Sequence, residues 1–126
     1  MVDSVRGSTL KESRLMLVQY VTAVAAVVLV AFHLMMQGVL TPYMTAISFG
    51  NILSIYRNLF YTVFLEFLLV VVLVHGFNGA RIILHEWRQT EAWSRWVDVG
   101  AVVAVVVSVG YGTRTIILAV IGGGAG

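Results

Sequence analysis

Phe64-Leu65-Glu66-Phe67-Leu68-Leu69-Val70-Val71-Val72-Leu73-Val74-His75-Gly76-Phe77-Asn78-Gly79-Ala80-Arg81 reads as a helix inside a membrane. Between Arg57 and Arg81 the only charged residue is Glu66, and a spanning helix needs roughly 20 apolar residues. Working outward, no Asp, Glu, Lys or Arg occurs between Arg14 and Arg57, and none between Asp98 and Arg114. Three spans are therefore expected, at about 15–40, 56–83 and 97–122. With 60% hydrophobic and only 11% charged residues, the chain is too apolar for a water-soluble fold of this size. The fold class is an all-α membrane protein, expected as a single transmembrane domain over residues 1–126 with a short N-terminal tail.

Three helices enclose little interior, so a partner subunit or a second copy is expected to complete the bundle. The net charge of +2 forms no basic stripe, which argues against nucleic acid. The charge orients the protein instead. Arg6, Lys11 and Arg14 precede the first span and Arg81, Arg88 and Arg95 flank the second loop, whereas the other side holds Arg57 and Arg114. The positive-inside rule puts the N-terminus in the cytoplasm and the C-terminus outside the cell membrane. The polar first twelve residues and the length of the apolar run after them do not match a cleavable signal, so the first helix is expected to be retained. With no cysteine, the chain offers no disulfide and no thiolate for a cluster, and any iron–sulfur centre belongs to a partner.

Thr41-Pro42-Tyr43 is expected to stop the first span, and Ser48-Phe49-Gly50-Asn51 supplies turn residues before the second. Tyr43, Phe49, Tyr56 and Tyr61 gather at the outer edge, and Trp87, Trp93 and Trp96 at the inner loop, as interfacial anchors do. Gly100, Ala104, Ser108 and Gly112 fall four apart on the third span and mark a close-packing stripe.

The chemistry sits in two histidines. An ionisable side chain inside a membrane helix is costly and usually functional. His33 lies roughly 9 Å and His75 roughly 28 Å from the outer ends of their helices, so the two cannot share one iron. They suit two haem groups stacked across the membrane, each needing a second axial ligand from elsewhere. Gly79 and Ile82 share the His75 face, and a glycine one turn away lets a flat ring approach the backbone. Gln19, Thr22, Ala26, His33 and Gln37 share one sector of the first helix, a polar and small stripe that faces protein. Arg81 at the inner end suits haem propionates by guanidinium–carboxylate pairing, and equally suits snorkelling to the interface. Intramembrane histidines also bridge helices or relay protons, and those readings stand beside ligation. His85 reads as a solvated loop residue. Glu66, nine residues outward of His75, falls on the opposite helix face, where it suits proton transfer or a hydrogen bond to a neighbouring helix.

His75-x-x-x-Gly79 followed by Glu86-Trp87 resembles the second-helix pattern of the membrane-anchor subunits of succinate dehydrogenase and fumarate reductase, the hydrophobic cytochrome b subunits of succinate:quinone oxidoreductase. In that family the histidine is an axial haem b ligand, and Asp-Tyr stands where this chain has Glu86-Trp87. Gln19 and His33 match the first helix of anchors that pair two three-helix subunits around two haems, with Tyr20 replacing the family's arginine. The resemblance spans most of the chain.

The resemblance implies that the three helices form half of a haem-binding anchor bundle, with His75 and His33 holding haem b, one or two, shared with a second three-helix anchor. It implies a flavoprotein subunit that oxidises succinate and an iron–sulfur subunit that passes electrons to quinone, linking the tricarboxylic acid cycle to the respiratory chain. Quinone would be met by Trp87, Glu86 and Gln19; the chain alone would catalyse nothing. Two other classes compete: a haem-free anchor of the same kind of complex, and a small proton- or ion-conducting membrane subunit using Glu66 and the histidines.

Overall fold

The computed structural model describes residues 2–39, 42–46 and 48–122. Helix α1 runs Val2–Leu34 and continues as a π-helical turn, Met35–Val39. Two short helices follow, α2 at Tyr43–Ala46 and α3 at Phe49–Arg57, then the long α4 at Leu59–Trp87 and α5 at Glu91–Gly122. Three segments are long and apolar enough to cross a membrane: Lys11–Val39, Leu59–Trp87 and Glu91–Gly122. The protein is thus an all-α, multi-pass membrane protein, with no strand among the described residues.

The helix ends differ from the sequence expectation for local reasons. Helix α4 begins at Leu59, a few residues later than expected, because Asn58 caps it: its side chain accepts from the backbone N–H of Phe60 (3.1 Å) and Tyr61 (3.3 Å). The Asn58 N–H donates to Ile55 C=O at 3.0 Å, so one residue closes α3 and opens α4. Helix α5 begins at Glu91, several residues early. Ser94 N–H donates to Thr90 C=O at 3.0 Å, and the acidic Glu91 suits a helix N-terminus. The turn of three residues, 88–90, makes α4 and α5 antiparallel neighbours. The expected stop at Thr41-Pro42-Tyr43 falls partly outside the described residues.

Helix α4 is the middle of the layer: it packs against α1 on one side and α5 on the other, and α1 and α5 do not pack on each other. Near α3, Phe32 meets Phe64 edge to face at 5.1 Å, and Thr62 donates to Tyr56 C=O at 2.9 Å. Among the described residues only Tyr61, Thr62, Val71 and Val97 are buried. A layer with so little interior leaves its apolar flanks to lipid or to another chain.

The small-residue stripe of α5 divides in two. At Gly112 an added Cβ would lie 2.4 Å from Leu69 Cδ2, so α5 is seated on α4 there; at Gly100 nothing lies within 4 Å.

Candidate functional site

The two intramembrane histidines occupy different levels, and each is held by a hydroxyl from the neighbouring helix. His75 on α4 lies with Nδ1 3.3 Å from Thr22 Oγ1 on α1. Thr22 commits its own hydrogen to Val18 C=O at 2.6 Å, so its oxygen accepts and His75 Nδ1 carries the proton. That tautomer leaves a lone pair on Nε2, which no hydrogen bond among the described residues engages. His33 on α1 lies with Nδ1 3.0 Å from the Tyr61 hydroxyl on α4, and the two rings stack at 6.3 Å. The levels are about 16 Å apart along α1, from Thr22 to His33, and about 21 Å along α4, from Tyr61 to His75. Tyr61 is therefore a buried partner of His33 and does not act as the interfacial anchor expected of it.

Gly79 serves a contact that the sequence did not disclose. The Gln19 amide fills the space beside it, with Nε2 3.0 Å from where a Cβ would stand. Asn78 donates to Gln19 Oε1 at 2.8 Å and to Leu15 C=O at 3.3 Å, so a polar clasp joins α1 and α4 one turn from His75. His33 lines a cleft of about 490 Å³ with Leu65, Leu69, Val72 and Tyr111. Gln37, in the π-helical turn, lines a smaller and more polar cleft with Asn51 and Asn58.

At the end of the bundle that holds the α4–α5 turn, Asp98 gathers three basic groups from two helices. Its Oδ1 accepts from Arg81 Nε at 2.6 Å and lies 2.8 Å from His85 Nε2, while Lys11 of α1 stands 3.7 Å from Oδ2. His85 Nδ1 lies 3.2 Å from Ser94 Oγ. His85 is thus a half-buried member of α4, not a loop residue, and Arg81 is tied toward α5 whereas His75 is tied toward α1. Trp93 likewise is no free anchor, since its indole donates to Leu84 C=O at 2.8 Å. Trp87 and Trp96 remain exposed.

A cleft of about 450 Å³ opens between α1 and α4 at this end, lined by Glu12, Leu15, Arg81, Ile82, His85 and Glu86. Glu86 faces it, whereas Trp87 and Gln19 do not line it. Glu66 lies apart from both histidines: one carboxylate oxygen accepts from Thr113 of α5, and the other is buried without a partner among the described residues.

Sequence reasoning overlooked Asp98, Asn78 and Thr113. The signal for the first two lay in plain view, a carboxylate and an amide at the inner ends of apolar spans, but their partners are on other helices. No set of three or more metal-binding side chains occurs among the described residues.

The family model for the succinate dehydrogenase/fumarate reductase transmembrane subunit matches residues 6–121. Neither the curated proteins nor the solved structures yield a match. The family match takes in all three apolar helices, both intramembrane histidines and the Asp98 cluster, and on that ground the chain belongs to the succinate dehydrogenase/fumarate reductase transmembrane subunits.

Proposed function

We propose that this protein is the haem- and quinone-binding anchor of a succinate:quinone oxidoreductase, passing electrons from an iron–sulfur subunit to membrane quinone. The observation that carries the reading is the pair of histidines at two levels, each with Nδ1 engaged by a hydroxyl of the facing helix. Metal-binding histidines characteristically hold their second ring nitrogen in such a bond, which sets the ring plane and the tautomer. The donor set thus fits haem b, which Nε2 of His75 and Nε2 of His33 would hold. A bound haem supplies one-electron carriage; the rest is the work of this chain.

Thr22 fixes the His75 ring, and Tyr61 fixes that of His33. The terminal nitrogens of Arg81 are what remains for a propionate, because Asp98 takes its Nε. The Gln19–Asn78 clasp over Gly79 keeps α1 and α4 in register beside His75. Because this chain offers one histidine at each level, a second three-helix anchor would supply the other donor to each haem. Quinone binds in the cleft beside Glu86, whose volume falls in the range of small-molecule pockets. The α4–α5 turn faces the cytoplasm, where the flavoprotein and iron–sulfur subunits dock; the C-terminus lies outside the cell membrane, and residues 1–126 act as one transmembrane unit. Glu66, paired with Thr113, serves proton transfer on the α5 side of the bundle.

The test is a reduced-minus-oxidised visible spectrum of the complex purified with its natural partners, with haem b quantified against flavin. Two haems per flavin support both ligands. One haem retains a single histidine in that role, and a complex without haem overturns the electron-transfer reading and leaves a tether.

A further inference from the structure

Because α1 and α5 flank α4 without packing on each other, a groove of about 360 Å³ runs between them with α4 as its floor. Its three helices share one gradient of polarity. Each places a charged side chain at the end that holds the α4–α5 turn, Lys11 on α1, Arg81 on α4 and Asp98 on α5, and each is apolar deeper in, ending at Val18, Val74 and Val106. Seven or eight residues separate the charged from the apolar end on every helix, about 10–12 Å at the helical rise. Asn78, which lies along the groove, spends its amide hydrogens on Gln19 and Leu15, so below the charged end no amide is left to donate to a ligand. Val18 and Val102 are exposed, and the groove opens to the bilayer.

The charged end carries an excess of one positive charge. Lys11 and Arg81 face the single carboxylate of Asp98, His85 beside it contributes no negative charge, and Glu12 lines the other cleft, between α1 and α4. The Lys11 ammonium stands 3.7 Å from Asp98 Oδ2 on a side chain that is 68% exposed, so it keeps donors for a second anion. Arg81 gives Nε to Asp98 and retains its terminal nitrogens.

We propose that this groove binds a phospholipid with one anionic phosphodiester, of the phosphatidylglycerol kind. The phosphate pairs with Lys11 and Arg81, a headgroup hydroxyl donates to Asp98 Oδ2, and one acyl chain lies along the apolar length. Basic pockets between membrane helices hold anionic headgroups in this way. Charge selects this occupant, since one phosphodiester cancels the excess and a quinone ring brings no charge to match it. A neighbouring helix, about 10–12 Å across, is too wide to enter a groove of this volume.

The experiment strips lipid from the complex purified with its natural partners, adds back dioleoylphosphatidylglycerol or dioleoylphosphatidylcholine, and counts bound lipid by native mass spectrometry. Expected is retention of one phosphatidylglycerol per copy of this chain, in preference to phosphatidylcholine. Lys11→Gln should weaken its binding about fivefold, as loss of one surface cation does, and Lys11→Arg should restore it. Arg81 stays unchanged, because a haem propionate has a claim on it. Val102→Trp, which fills the groove from an exposed position, should abolish retention, whereas Val103→Trp, exposed on the same helix but outside the groove, should not. The two tryptophan variants decide the matter if Lys11→Gln fails to assemble. Equal binding of the two lipids, retention unaltered by Val102→Trp, displacement by decylubiquinone, or equal competition from chain-free glycerophosphoglycerol overturns the proposal.

Discussion

At the scale of single residues, the two histidines are distinguished by what holds them. His75 depends on a threonine whose hydrogen is already spent on Val18 C=O, which forces one tautomer; His33 depends on a phenol it also stacks against. Replacing His75 by Ala should remove the inner haem and weaken assembly, while His33→Ala should remove only the outer one, both read from the haem spectrum. Unchanged haem content in both variants would sink the ligand assignment. Thr22→Val keeps the ligand and deletes its orienting hydroxyl. Loss of such a partner costs about 10–100-fold in affinity at metal sites, so haem should wash out of the Thr22→Val complex faster than out of wild type. The histidines were legible in the sequence because a polar group in an apolar run stands out at once. Their partners were not, since Thr22 and Tyr61 have ordinary readings, a small residue in a stripe and an aromatic in a belt, until the helices are placed side by side.

At the scale of elements, two glycines of one stripe make opposite predictions. Gly112→Ala drives a methyl into Leu69, and overpacking of this kind costs about 1–3 kcal/mol, lessened here because a leucine tip can turn aside. Gly100→Ala meets nothing and replaces the poorest helix former short of proline, so it should be neutral or stabilising by a few tenths of a kcal/mol. Unfolding of the chain in mixed detergent micelles ranks the two; the reverse order would contradict the α4–α5 packing. Asn58→Ala removes the shared cap of α3 and α4 and should cost about 1 kcal/mol in the same assay. The four-residue spacing revealed the stripe, but it did not tell which members touch a neighbour. That depends on where along α4 the second helix of the hairpin is seated, and the three-residue turn together with the Trp93–Leu84 bond sets the register.

At the scale of the whole molecule, the layer has α4 in the middle and almost no interior, which is the architecture of a part made to be covered. Its charged end, the Asp98 cluster, coincides with the end to which the positive-inside rule assigns the cytoplasm. Because the chain has no cysteine, single cysteines report topology without background. Gln89→Cys in the α4–α5 turn should react with a membrane-impermeant maleimide only after the cells are permeabilised. Ser48→Cys, ahead of α3, should react in intact cells; the opposite pattern would invert the orientation.

Composition, the spacing of charges and the positions of two histidines within apolar runs were enough for the class, the number of spans and the two histidine levels. These rest on the cost of placing charge or unpaired backbone in lipid, which one chain carries residue by residue. Which polar groups meet was decided only by the tertiary structure. Arg81 turned to Asp98, His85 became a doubly bonded group beside a cleft, and Gln19 filled the space at Gly79. Each of those pairings joins residues on different helices, and a helix pattern fixes a side chain's direction around its own axis while leaving its neighbour's rotation and depth to packing.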